Sequence, residues 1–168
     1  MPVVSNTSPL LNLSIIGQLS LLRSQFGTVT VPEAVVDELR IDDDLPGNHE
    51  LRGAFESGWL QVQKVTNPQL VRVLRHTLDA GESEAIALAI EMDAEVLLLD
   101  ERDARIVAKD MGMTITGVLG VLLRGYSDGE IEFPMDLIDR LQQEAGFHLS
   151  GEIVEKVRMA VSAMNPSS

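Results

Sequence analysis

The run "EVLLL" at 95–99 constrains the fold of this chain more than any other feature. It is almost wholly apolar, too short for a helix that buries one face, and followed at once by Asp100. Such a run suits a strand covered on both faces, the signature of a parallel sheet wrapped by helices, and predicts a central position. Four further β-rich runs, "PVVSN" (2–6), "TVTV" (28–31), "WLQVQ" (59–63) and "MTITG" (113–117), are bounded by turn residues. Helical periodicity fills the gaps: 9–24 with a break near Gly17, then 32–40, 49–57, 68–78, 82–92, 101–111 and 117–126. Two more helices are expected over 134–144 and 150–163. This alternation predicts an α/β fold with a central, mainly parallel sheet of about five strands.

With 168 residues, 45% of them hydrophobic, the chain supports one sizeable core. The expectation is a single domain over 1–168, with 134–168 a helical C-terminal extension of that domain. Apolar residues in the extension recur at helical spacing, which suits completion of the core; a dimer partner or a bound partner segment are the alternatives. "IDDDLPGNH" (41–49) reads as a solvated loop rather than a boundary, because the β/α pattern resumes after it.

The chain has no cysteine, so any metal must rest on oxygen or histidine, and a reducing cytoplasmic setting fits. The N-terminus lacks the basic region of a signal peptide, and no apolar run approaches the roughly 18 residues that a membrane span needs. A formal charge of −13 argues against a broad electrostatic grip on nucleic acid. Acids gathered in one cleft can still bind cations locally.

In open α/β sheets, functional groups collect beyond the carboxyl ends of the strands. Asn6 ends the first strand, Asp100 ends "EVLLL", and Asp103 lies one helical turn further on. Glu82 and Glu84 open the helix before that strand, and Glu38 lies in "VPEAVVDEL" after the second. Close carboxylates repel unless a hard cation joins them. Mg²⁺ or Mn²⁺ fits an all-oxygen site, and phosphodiester hydrolysis is the natural reaction class for such an ion.

The segments "VVSNTSPLLNL", "VPEAVVDEL", "GESEAIALA", "LLLDERDARIVA" and "GVLGVLL", in that order, resemble a PIN domain of the bacterial and archaeal VapC-like group. The resemblance implies a three-layer α/β/α sandwich and a Mg²⁺- or Mn²⁺-dependent ribonuclease acting on RNA. Such a protein is often the toxin of a toxin–antitoxin pair and commonly a homodimer. Carried across, the family's first-strand acid falls on Asn6, its second on Glu38, its helix-start acid on Glu82, and its last on Asp100 or Asp103. Glu84 is a further metal candidate, because "GESEA" also resembles the "GEAEA" signature of the related flap endonucleases. Ser8 and Arg102 are candidate substrate contacts. The departure is Asn6, where most PIN nucleases have aspartate: an amide oxygen ligates Mg²⁺ without contributing charge. A weakened PIN domain that binds RNA or protein is the alternative function.

Plainer roles compete with these. Acids in a first helical turn are favoured by the macrodipole, which fits Glu82, Glu84 and Asp103. Asn6 and Asp100 suit N-caps, Glu38 a solvent-facing position, and Arg102 and Arg105 surface ion pairs. His49, His76 and His148 show no metal-ligand spacing and read as surface or structural residues. No G-x-G-x-x-G follows the first strand, so the dinucleotide-binding pattern is missing.

Overall fold

A computed structural model describes residues 1–164. The five expected strands all form: β1 (Val3–Ser5), β2 (Val29–Val31), β3 (Leu60–Val62), β4 (Val96–Leu98) and β5 (Ile115–Thr116). They make one wholly parallel sheet in the order β3-β2-β1-β4-β5. β1 lies beside β4 over its full length, Val3 opposite Val96 and Ser5 opposite Leu98.

The helices follow the periodicity. Among the described residues they are α1 (Thr7–Ile15), α2 (Ser20–Phe26), α3 (Glu33–Leu39), α4 (Asn48–Glu56), α5 (Pro68–Leu74), α6 (Ala80–Glu91), α7 (Arg102–Asp110), α8 (Val118–Ser127), α9 (Pro134–Glu144) and α10 (Gly151–Ala163). The break expected near Gly17 separates α1 from α2, and Gly17 takes the positive φ of 74° that makes the turn. α5 is shorter than its apolar pattern, since Arg75 to Leu78 close as turns onto Val71, Val73 and Leu74.

Side chains alternate across a strand, so each central strand feeds two cores. Val3 and Leu98 point into one, with Leu10 and Leu13 of α1, Leu22 of α2 and Leu122 of α8. Val4, Leu97 and Leu99 point into the other, with Ile86 and Leu88 of α6 and Ala104 and Ala108 of α7. The result is the three-layer α/β/α arrangement that the "EVLLL" run requires. Ile138 and Leu141 of α9 and Val157 of α10 join the first core.

α6 is nearly surrounded: all its residues from Gly81 to Ala89 except Glu84 are buried. Its alanines let neighbouring backbones approach closely, and the helix packs against α3, α5 and β1. Burying Ile86 and Leu88 stabilises the fold by about 1.5–3 kcal/mol each before the cost of ordering the chain.

Candidate functional site

From β1 the chain moves outward through β2 to β3, then returns to place β4 on the other side of β1. The strand order therefore reverses between β1 and β4, opening a crevice beyond their carboxyl ends. Asn6 is the residue after β1, and its N–H donates to the Leu98 carbonyl at 3.0 Å, carrying the ladder one step past the strand. Asp100 is two residues beyond β4.

Neither residue is spent on the helix that follows it. Asn6 occupies the N-cap position of α1, yet its side chain makes no cap hydrogen bond. The N-cap of α7 is Glu101. Asp100 instead reaches sideways, where its Oδ1 accepts the Val118 N–H at the start of α8 at 3.1 Å. Gly117 permits that approach, because a Cβ there would collide with the Asp100 carboxylate. Asn6 Oδ1 and Asp100 Oδ2 are then buried acceptors with no hydrogen-bond partner. Leaving such an atom unpaired costs about 1–3 kcal/mol.

Burial pushes the Asp100 carboxyl up from 3.8 to about 6. The Val118 N–H opposes this, the Glu101 charge adds to it, and Arg105 partly offsets it. Arg105 is held in place by donating to the Leu99 carbonyl at 2.8 Å.

Glu38 projects from α3 toward the opening of α6. Its Oε2 accepts the Thr7 hydroxyl at 2.5 Å and its Oε1 accepts the Gly81 N–H at 2.9 Å. A Cβ at position 81 would occupy the space of that carboxylate. Glu82 is 7% exposed and closes a capping box: its Oε1 accepts the Asp79 N–H, while its own N–H donates to Asp79 Oδ1. Desolvation raises the Glu82 pKa; the Asp79 N–H lowers it, and the charges of Asp79 and Glu101 raise it further. The macrodipole role considered for Glu82 is thus present, and so is a charge link to the acids around Asp100.

The remaining candidates fall elsewhere. Glu84 turns to the amino end of α3, where its Oε1 accepts the Ala34 N–H at 3.2 Å. It lines a cavity between α3, α5 and α6 together with Glu33, Asp37 and Lys64. Rotation around α6 separates it from Glu82, and no hydrogen bond joins it to Asn6 or Asp100. Asp103 is exposed in the first turn of α7. Ser8 accepts from Asn12 Nδ2 at 3.1 Å and, with Arg102, lines a cavity that also includes Asp100.

Among the described residues, no three Asp, Glu or His side chains form a ready-made metal-ligating group. The sequence predicts a tighter cluster than this. The local donors explain the difference, since each carboxylate accepts from an N–H of its own: Gly81 for Glu38, Asp79 for Glu82, Val118 for Asp100 and Ala34 for Glu84.

Sequence reasoning missed Glu101. As the N-cap of α7 its side chain makes no capping bond, and its charge acts on both Glu82 and Asp100. Its place directly after a strand-ending acid was the available signal. The chemistry of the assembled donors fits a hard divalent cation: all are oxygens, and two are buried without a hydrogen-bond donor.

A family model described as a PIN domain matches residues 2–163. Among solved structures, the fold is similar to a PilT N-terminus domain protein from the hyperthermophilic archaeon Sulfolobus solfataricus P2. The TM-score is 0.50 at 19% identity, over 74% of this chain and 92% of that one. No curated protein sequence matches this chain.

Proposed function

Since the chain belongs to the PIN-domain family, we propose that it is a Mg²⁺- or Mn²⁺-dependent endoribonuclease centred on Asn6 and Asp100. The observation that carries this reading is the pair of buried, unpartnered oxygens, Asn6 Oδ1 and Asp100 Oδ2, at the strand-order reversal. A bound cation would polarise the phosphoryl group and activate water there. Asn6 and Asp100 would hold it, with Glu82 and Glu38 completing the oxygen set through small side-chain rotations. Thr7 and Gly81 hold the Glu38 carboxylate between the first turns of α1 and α6, which supports this role. Glu101 adds to the negative field on Glu82 and Asp100, Asp103 would join only from its exposed place in the first turn of α7, and Arg102 and Ser8 would meet the substrate phosphate.

Glu84 serves α3 in this reading and takes no part in catalysis. The cavity it shares with Glu33 and Asp37 suits a basic segment of an antitoxin, by charge complementarity. The toxin role and a homodimeric assembly belong to the same proposal.

The second reading, a binding module with weakened chemistry, is favoured by one observation: the buried residue after β1 is an amide rather than an acid. Incubating purified protein with mixed RNA and Mn²⁺ or Mg²⁺ separates the two. Cleavage that disappears in Asp100→Asn supports the nuclease. Intact RNA, together with no metal-induced rise in Tm, sinks it.

A further inference from the structure

β4 and β5 run as regular parallel partners up to their carboxyl ends. The Leu97 N–H donates to the Thr114 carbonyl and the Leu99 N–H to the Thr116 carbonyl, each at 2.9 Å. Bonds in a parallel ladder alternate in direction, so the next rung would carry the Val118 N–H to the Leu99 carbonyl.

That rung does not form. The Val118 N–H donates instead to Asp100 Oδ1 at 3.1 Å, and the Leu99 carbonyl accepts from Arg105 Nη1 at 2.8 Å. One side chain has thus taken each half of the broken rung. Gly117 makes room for both, since a Cβ there would collide with the Asp100 carboxylate and the Arg105 guanidinium together. Gly117 is also the N-cap of α8 and has no side chain with which to satisfy that helix's first N–H.

We propose that Arg105 is a positioning residue for Asp100: by occupying the Leu99 carbonyl it keeps the ladder open, reserves the Val118 N–H for Asp100 Oδ1, and leaves Asp100 Oδ2 for the metal. The proposal rests on the nuclease reading and adds to it the residue that orients its central acid. Without Arg105, the carbonyl of the fully buried Leu99 loses its donor, and buried carbonyls in native structures are almost always paired. The register that pairs Leu98 with Thr116 brings the Val118 N–H within one rung of it. Taking that N–H closes the ladder and frees the carboxylate from its fixed pose. Charge acts in the opposite sense, because a guanidinium beside the acids repels a cation, and its removal alone would tighten metal binding. The sign of the change therefore separates orientation from charge.

The test uses the full chain with Arg105→Met, which keeps the apolar stem, and Arg105→Lys, which keeps a cationic donor for Leu99. In chelator, NMR couplings across hydrogen bonds identify the acceptor of the Val118 N–H. Wild type and Arg105→Lys are expected to show Asp100, and Arg105→Met the Leu99 carbonyl. Mn²⁺ binding, followed without RNA by electron paramagnetic resonance, should weaken about tenfold or more in Arg105→Met and recover in Arg105→Lys. With Mn²⁺ and a single-stranded oligoribonucleotide, kcat should fall comparably in Arg105→Met while KM stays at the wild-type value. A Val118 N–H that stays on Asp100 in Arg105→Met, or Mn²⁺ binding that stays level or tightens, overturns the positioning role and leaves the nuclease standing if wild type cuts. A wild-type spectrum without the coupling between Val118 and Asp100 overturns it even where Arg105→Met fails to fold. A rung that switches in a protein whose wild type neither holds Mn²⁺ nor cuts supports the hold of Arg105 on Asp100 and removes the nuclease.

Discussion

Glu38 Oε1 accepts the N–H of Gly81 at 2.9 Å, joining α3 to the first turn of α6 in front of the crevice. Because an added Cβ at position 81 would fall on that carboxylate, Gly81→Ala should move Glu38 without disturbing the helix. Alanine is the better helix former by about 1 kcal/mol, and Glu38 is free to swing into solvent. Stability should therefore hold or rise slightly, while cleavage falls on the order of 10–100-fold from the misplaced group. Urea denaturation alongside single-turnover cleavage would check this. Normal cleavage would mean that Glu38 has no part in the site.

Asp100 sets a pH dependence in the metal-free protein. Its folded pKa of about 6 lies above the unfolded 3.8, so the native state binds the extra proton between those values. Its contribution is thus most favourable at low pH and is lost as pH rises from about 4 through 6. A shift of this size corresponds to roughly 3 kcal/mol at full ionisation, taken as an upper figure. With metal chelated, Asp100→Asn should be more stable than wild type at pH 8, and the difference should shrink toward pH 4. Urea titrations of both proteins at the two pH values measure it. A difference independent of pH would remove burial as the cause.

Asn6→Asp introduces a second buried charge beside Asp100, and like charges without a counterion repel. In chelator the variant should lose about 1–3 kcal/mol at neutral pH. With Mn²⁺ the sign reverses, because the added charge strengthens an oxygen site: metal affinity and cleavage should both rise. Differential scanning fluorimetry across a Mn²⁺ titration would show the crossover. Destabilisation that metal fails to relieve would place the cation elsewhere.

The layers were readable because burial writes itself into periodicity. "EVLLL" is apolar on both faces since helices cover both sides of β4, and the leucines of the run point alternately to two cores. Strand ends were readable too: β3 covers Leu60–Val62 of "WLQVQ", and the flanking Trp59 carbonyl and Gln63 N–H bond to Val29 and Val31 of β2, at a sheet edge where Gln61 and Val62 are exposed. α6 begins at Ala80, ahead of the expected 82, since Asp79 and Glu82 form a capping box that apolar spacing does not register. Within the site, Asn6 and Asp100 were legible from strand ends alone. The place of Glu84 was not, because it depends on α3, a neighbour some fifty residues away in sequence. Glu101 was hidden by its neighbour: Asp100 reads as the cap of α7, and the structure gives that position to Glu101, whose side chain makes no capping bond.

Glu82 and Glu84 sit two residues apart and should respond in opposite ways. Glu84 supports α3 by accepting the Ala34 N–H, so Glu84→Ala should cost about 1 kcal/mol and leave cleavage near wild type. Glu82→Gln keeps a side-chain acceptor for the Asp79 N–H, since glutamine serves at this position of a capping box. It also removes a carboxylate whose pKa is raised chiefly by burial. A raised carboxyl pKa makes ionisation a cost to the fold above that value, so Glu82→Gln should hold or gain stability at neutral pH while cleavage drops. Measuring Tm and Mn²⁺-dependent cleavage on both variants tests the assignment directly. Should Glu84→Ala abolish cleavage at unchanged Tm, the two glutamates would have to share the metal, and the capping role of Glu84 would be secondary.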